Sequence, residues 1–164
     1  RVLIELAQQE KSDWILVLDA DMIPLRDPRS FLVYNGDAVA FTLYDLWDED
    51  AYRDDGFWKA HEHHRIWMAK TAALPQQPIW SPRGIHCGHF PLNFEPQRVI
   101  FAPEDYALLH YAYMDDSLRK QKHLQYAAQF GQMTATEIAH AESILDKSPI
   151  TKPLPYEPEW RLQK

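Results

Sequence analysis

The sequence predicts an α/β fold, and three observations carry that expectation. An apolar run, Trp14-Ile15-Leu16-Val17-Leu18, follows a helix-like stretch and ends at Asp19-Ala20-Asp21. Strand-like and helix-like segments then alternate down the chain, as they do where helices cover a largely parallel sheet. Hydrophobic residues make up 46% of the 164 positions, enough to bury the core of one domain.

Arg1 to Glu10 reads as a helix, with Leu3, Leu6 and Ala7 on one face. Lys11-Ser12-Asp13 is a polar connection. Trp14 to Leu18 is apolar at every position, the pattern of a strand buried on both faces in a parallel sheet. Pro24 and Pro28 mark Met22 to Ser30 as a loop. A second strand is expected over Ala38 to Tyr44, where Val39, Phe41 and Leu43 alternate with Ala40 and Thr42. Asp45 to Gly56 is an acidic, aromatic loop; Phe57 to Arg65 suits a short helix, and Ile66 to Ala69 a strand. Pro75 and Pro78 enclose a turn before Ile79-Trp80, and Arg83 to Pro96 reads as an ordered loop. Tyr106 to Tyr113 is another short apolar strand.

Asp115 or Asp116 can cap a helix over Ser117 to Phe130. Thr134-Ala135-Thr136-Glu137 is a capping box opening a helix with Ile138, Ala141 and Leu145 in a stripe. The tail from Pro149 carries Pro153, Pro155 and Pro158 and should be extended. The expected division is a domain over residues 1–148 and an extended tail over 149–164. Arg1 stands where Met would begin a complete chain, so the sequence reads as a piece of a longer protein.

A formal net charge of −7 provides no basic field for nucleic acid, so none is expected as a partner. No run of about 18 apolar residues is present, so no membrane span is expected. The single cysteine, Cys87, rules out an intrachain disulfide framework and fits a reducing compartment, with the cytoplasm the expected location.

Asp19 and Asp21 are the most informative positions. At i and i+2 of an extended segment their side chains can converge on one cation, at the carboxyl end of a strand where α/β proteins bind ligands. Oxygen donors suit Mg²⁺ or Mn²⁺, ions that commonly share their shell with a substrate's phosphates. His110 ends the 106–113 strand in a similar position and, as a neutral imidazole, can complete the metal shell or donate to a phosphate. Arg119 and Lys122 lie three apart on the following helix, able to neutralise a diphosphate, with Tyr126 one turn on. His86-Cys87-Gly88-His89 lets the backbone approach a ligand closely, and His89 is a candidate functional group. His61-Glu62-His63-His64 has ligand types for zinc but no matching second cluster, so a polar helix face is the simpler expectation.

Asp13-Trp14-Ile15-Leu16-Val17-Leu18-Asp19-Ala20-Asp21 resembles the D-x-D strand of family-2 glycosyltransferases with the GT-A fold. Leu109-His110-Tyr111-Ala112-Tyr113, followed by Arg119, Lys122 and Tyr126, is similar to the H-Y-x-[YW] segment of bacterial members. The match covers residues 1–130. It implies a partial GT-A-like, Rossmann-like mixed sheet flanked by helices, lacking the N-terminal nucleotide-binding half. It further implies transfer of a sugar from a nucleotide-sugar donor to the hydroxyl of a carbohydrate or other acceptor, with inversion. Asp21 would then be a metal ligand, Asp19 would contact the metal or the ribose, and His110 would lie near the diphosphate with Arg119 or Lys122.

An inverting transfer needs a base at the acceptor hydroxyl. Relatives place an acidic residue where this chain has Ile85 to Pro91, which leaves His86 or His89, or else Asp48 or Asp55 from the acidic loop; Asp55 and His89 are favoured. Trp47, Phe57 and Trp58 can stack on a sugar face, although packing within the loop is the plainer role. Many relatives carry Glu after D-x-D, where this chain has Met22. That departure, with the missing half, motivates an alternative: a noncatalytic carbohydrate- or protein-binding module of the same fold. A zinc hydrolase built on His61, His63 and His64 is a third expectation, weaker than both.

Overall fold

A computed structural model describes residues 2–82 and 88–158. In chain order the regular elements are α1 (Val2–Gln9), β1 (Trp14–Leu16), β2 (Met22–Pro24), β3 (Ala38–Phe41), β4 (Leu43–Asp45), β5 (Ala51–Arg53), β6 (Arg65–Lys70), β7 (Val99–Phe101), β8 (Leu108–His110), α2 (Asp116–Ala127), α3 (Ala135–Ser143) and β9 (Thr151–Pro153), with short 3-10 turns between them. The strands form a four-stranded sheet in the order β1-β6-β3-β7, a three-stranded sheet β2-β8-β4 and a two-stranded sheet β5-β9. The α/β class holds, and both larger sheets are mixed: β3–β7 and β4–β8 are parallel, the other pairs antiparallel. No helix among the described residues is long and apolar enough to cross a membrane.

The 38–45 segment is the spine of the molecule. Residues 38–41 belong to the first sheet and 43–45 to the second, so the single expected strand is divided at Thr42. The 99–110 segment runs parallel beside it through both sheets, with the Leu108 N–H donating to the Thr42 carbonyl across the junction. Val39, Phe41, Met68, Trp67 and Leu108 form the main core where the sheets meet. A second cluster, Ile4, Ile15, Ala38, Ala69 and Leu74, seats α1 on the other face of the first sheet.

The Trp14–Leu18 run is covered on both faces, as its composition predicts. Trp14, Leu16 and Leu18 pack on the main core, while Ile15 and Val17 pack on the α1 side. Its setting differs from the expectation, however. β1 is shorter, pairs antiparallel with β6, and ends the sheet's strand order. Apolar continuity reports two covered faces; it carries no information about the direction of a neighbouring strand.

Three other expectations are corrected. Met22–Pro24 is a strand and not a loop; Pro24 is tolerated because β2 lies at a sheet margin, where a missing N–H breaks no second ladder. The 57–65 helix reduces to one 3-10 turn, Ala60–Glu62, because Trp58 leaves the chain for the core and Lys59 is tied to Asp54. The acidic loop contains β5, whose partner β9 comes from the Pro-rich tail, so that tail is extended but docked. The caps behave as the sequence indicates: Asp115 accepts from the Ser117 and Leu118 N–H groups, and Thr134 and Glu137 close a reciprocal capping box.

Candidate functional site

The three-stranded sheet builds the site. β8 is its middle strand, and His110 at the end of β8 is register partner to Met22 on one side and Asp45 on the other. The Tyr111 N–H donates to the Asp21 carbonyl at 2.8 Å and the Leu46 N–H to the His110 carbonyl at 3.0 Å. Backbone pairing thus places Asp21, His110 and Asp45 side by side.

The side chains follow that order. His110 Nδ1 lies 2.7 Å from Asp45 Oδ1, and Nε2 lies 3.5 Å from Asp21 Oδ2. Lys122, projecting from α2, places Nζ 3.4 Å from the same Asp21 oxygen. The Met22 N–H bonds the Asp19 carbonyl, so residues 19–22 form a turn after β1. Asp19 contacts His89, with Nε2 3.5 Å from Oδ1, and also senses the charges of Asp21 and His110. Gly88, with φ of +71°, gives the chain a left-handed step into His89, whose ring rests 4.2 Å from that of Trp67.

The electrostatics are those of closely set opposite charges. Burial disfavours charge on His110, yet hydrogen bonding to Asp21 and Asp45 outweighs it and raises the imidazole to about 9. The His110 hydrogen bond, reinforced by Lys122, holds the Asp21 carboxyl well below the usual carboxylate range despite partial burial. Contact with His89 lowers Asp19 in the same sense. The cluster opens on solvent: the side chain of His110 is 9% exposed, that of Asp21 35% and that of Asp19 58%.

Of the three expected metal ligands, Asp21 and His110 are brought into contact, with Asp19 adjacent and paired to His89. The residues fit a divalent ion on one structural observation, provided the ion displaces the second imidazole proton of His110 and the Lys122 ammonium from Asp21. Asp45 occupies the Nδ1 side of His110, leaving Nε2 facing Asp21 at a separation near the ~3 Å between neighbouring ligands of an octahedral ion with ~2.1 Å bonds. A nitrogen donor beside a carboxylate suits Mn²⁺ better than Mg²⁺.

Several candidates have other duties. The Arg119 guanidinium donates to the carbonyls of Trp47 and Tyr113, pairs with Asp116 and lies over the Trp47 ring, so it fastens α2 to the core. Of the two basic candidates, Lys122 is the one facing Asp21. Trp47 and Trp58 are buried, the latter donating to the Ser143 hydroxyl, and neither presents a ring face for sugar stacking. Packing competes with binding for such rings, and here packing wins. Asp48 accepts from the Asp50 and Ala51 N–H groups in a tight turn. Asp55 accepts from Arg53 at 2.6 Å and from the Ile150 N–H at 2.7 Å, bonds that hold its carboxylate in the fold. His86 and Cys87 lie outside the described residues.

The expected histidine trio does not form a zinc cluster. His64 bonds the Ala102 carbonyl, while His61 stacks on Tyr44 and approaches Asp54 at 3.3 Å. Among the described residues, Asp54, His61 and Glu62 are grouped closely enough to share an ion, but Lys59 and Lys152 hold Asp54 in close contacts where it is enclosed, whereas the pairs around Asp21 are longer and open to solvent.

Asp45 is the participant that sequence reasoning missed, although its signal was present. It ends the Ala38–Tyr44 apolar run just as Asp19 ends the Trp14–Leu18 run. No family model, curated protein or solved structure matches this chain.

Proposed function

We propose that the chain carries the metal-binding part of a glycosyltransferase that moves a sugar from a nucleotide-sugar donor to an acceptor hydroxyl with inversion, on a GT-A-like fold. The observation that carries this reading is the contact of Asp21 with both His110 and Lys122 at the open edge of the three-stranded sheet. Asp21 and His110 would hold Mn²⁺ or Mg²⁺, with Asp19 beside them. The bound ion would supply Lewis-acid stabilisation of the departing diphosphate.

The chain's own residues account for the remainder. Lys122 would add positive charge on the diphosphate side, where negative charge develops as the glycosidic bond breaks. His89 is the base this reading retains, because Asp48 and Asp55 are committed to structural hydrogen bonds. Its contact with Asp19 would orient the imidazole to take the acceptor proton. A noncatalytic sugar-binding module is less well supported, since the tryptophans that would form its platform are buried.

The test is Mn²⁺-dependent turnover of nucleotide sugars by the wild type and Asp21→Ala. Losing a ligand to the ion should remove several kcal/mol of transition-state stabilisation, about a thousandfold in rate. Equal rates for the two proteins would overturn the proposal.

A further inference from the structure

We infer that Asp45 is a positioning residue that fixes the tautomer and ring orientation of His110 so that Nε2, and not Nδ1, is presented on the Asp21 side. This inference rests on the metal-dependent reading above and extends it to a residue that touches neither ion nor substrate.

The geometry carries it. Asp45 and His110 are register partners in the parallel β4–β8 pair, so the backbone sets their spacing before any side chain acts. Their side chains meet at 2.7 Å, the shortest contact His110 makes, with Asp45 13% exposed and His110 9% exposed. An ionised carboxylate only accepts hydrogen bonds, so this contact requires a proton on Nδ1. The Nε2 atom, 3.5 Å from Asp21, is then the nitrogen that a cation would ligate on displacing its proton, while Nδ1 keeps the proton it donates to Asp45. A neighbouring carboxylate that holds a ligating imidazole in this way raises its donor strength, and removing such a partner weakens metal affinity roughly 10- to 100-fold. The ring cannot easily turn over: Tyr113 packs against it edge-on, with centroids 5.0 Å apart.

A purely structural Asp45–His110 pair would leave metal affinity unchanged when Asp45 is replaced, so one readout separates the cases and a second tests the tautomer. The first is Mn²⁺ binding followed by electron paramagnetic resonance on the wild type, Asp45→Asn, His110→Ala and Asp21→Ala. Asp45→Asn should weaken binding roughly 10- to 100-fold with a circular dichroism spectrum like that of the wild type. The second is nuclear magnetic resonance of wild-type protein carrying ¹⁵N-histidine, with Mg²⁺ as a diamagnetic probe. It should show a slowly exchanging proton on His110 Nδ1 that persists in Mg²⁺.

Unchanged Mn²⁺ affinity in Asp45→Asn, with affinity lost in His110→Ala and Asp21→Ala, would overturn the role of Asp45 and leave the metal site standing. Unchanged affinity in all three variants would overturn the metal site itself and this inference with it. Should Asp45→Asn fail to fold, the wild-type spectrum still decides: a ring in Mg²⁺ protonated at Nε2 and bare at Nδ1 would refute the assignment.

Discussion

Among the described residues, the charge cluster around Asp21 and the one around Arg53 are built differently. Around Asp21 the ion pairs that Asp19 and Asp21 make are long, 3.4 to 3.5 Å, and both aspartates are open to solvent, with the short His110–Asp45 pair set behind them. Around Arg53 they are short and enclosed. The Arg53 side chain is 3% exposed, lies against the rings of both Trp47 and Trp58, and donates to Asp55, Asp146 and the Ser143 carbonyl. Beside it, Asp54 is held by Lys59 and Lys152, one from the chain before β6 and one from β9. The second cluster joins the acidic loop, α3 and the C-terminal strand, and its donors are consumed in doing so. The first has charge in reach of a ligand and loose contacts that a ligand can replace. Buried and closed charge holds a fold together; charge that is loosely paired at a rim is where binding is to be sought.

The largest effect expected from this contrast is on stability at the closed cluster. Arg53→Ala would strip partners from Asp55 and Asp146, uncover the two tryptophan rings it packs against and free α3 from the loop. Removing one partner from a buried charged network costs about 3–5 kcal/mol, and urea unfolding should show that fall. Any of the variant that remains folded should bind Mn²⁺ as the wild type does. A fall below ~1 kcal/mol would mean that the cluster is not the staple described here.

Acid, read through an Asp54 variant, should test the closed cluster next. Hydrogen bonds from Lys152 and Lys59 outweigh burial and lower Asp54 to about 2 from its ordinary 3.8. Because the folded form is the stronger acid, its contribution is fully present above pH 3.8 and disappears as pH falls through about 2. Burial lowers His61 too, so protonating it on acidification also works against the folded state. Unfolding midpoints measured from pH 5 downward should therefore drop steeply for the wild type. Asp54→Asn should start lower and drop less. Parallel curves would show that Asp54 is not the group responsible.

Parts of this arrangement were legible in the sequence for identifiable physical reasons. Helix caps are local, so Asp115 and the Thr134–Glu137 box could be read directly. Asp21 and His110 could be read because one comes after a short apolar strand and the other closes one, and a carboxylate or imidazole at such an end faces the rim. Strand direction was hidden, since Trp14–Leu18 has the same composition whichever way its neighbour runs. The division at Thr42 was hidden too, because the alternation that predicts a strand continues unbroken across it. Arg53 looked like one more charge in an acidic loop. Only the arrival of α3 and β9, about a hundred residues later, turns it into a buried anchor. The tryptophans take the packing role that was the plainer expectation, but their partners, Ala112, Tyr113 and Ile144, lie far along the chain and could not be named from it.

The smallest effect expected concerns Asp48, and it sharpens the contrast. Asp48 is exposed and close in sequence to the buried anchor, and its Oδ1 accepts two backbone N–H bonds at 2.9 and 2.8 Å. Such a carboxylate acts like a helix N-cap, so Asp48→Ala should cost about 1 kcal/mol in urea unfolding. As a turn former it should leave Mn²⁺-dependent turnover unchanged, whereas His89→Ala, removing the base proposed beside Asp19, should slow it ~10²- to 10⁴-fold. The reverse result, turnover lost in Asp48→Ala at wild-type stability and kept in His89→Ala, would move the base into the acidic loop. An exposed carboxylate with its oxygen tied to the turn has little freedom to reach an acceptor hydroxyl, which is why His89 is the expected outcome.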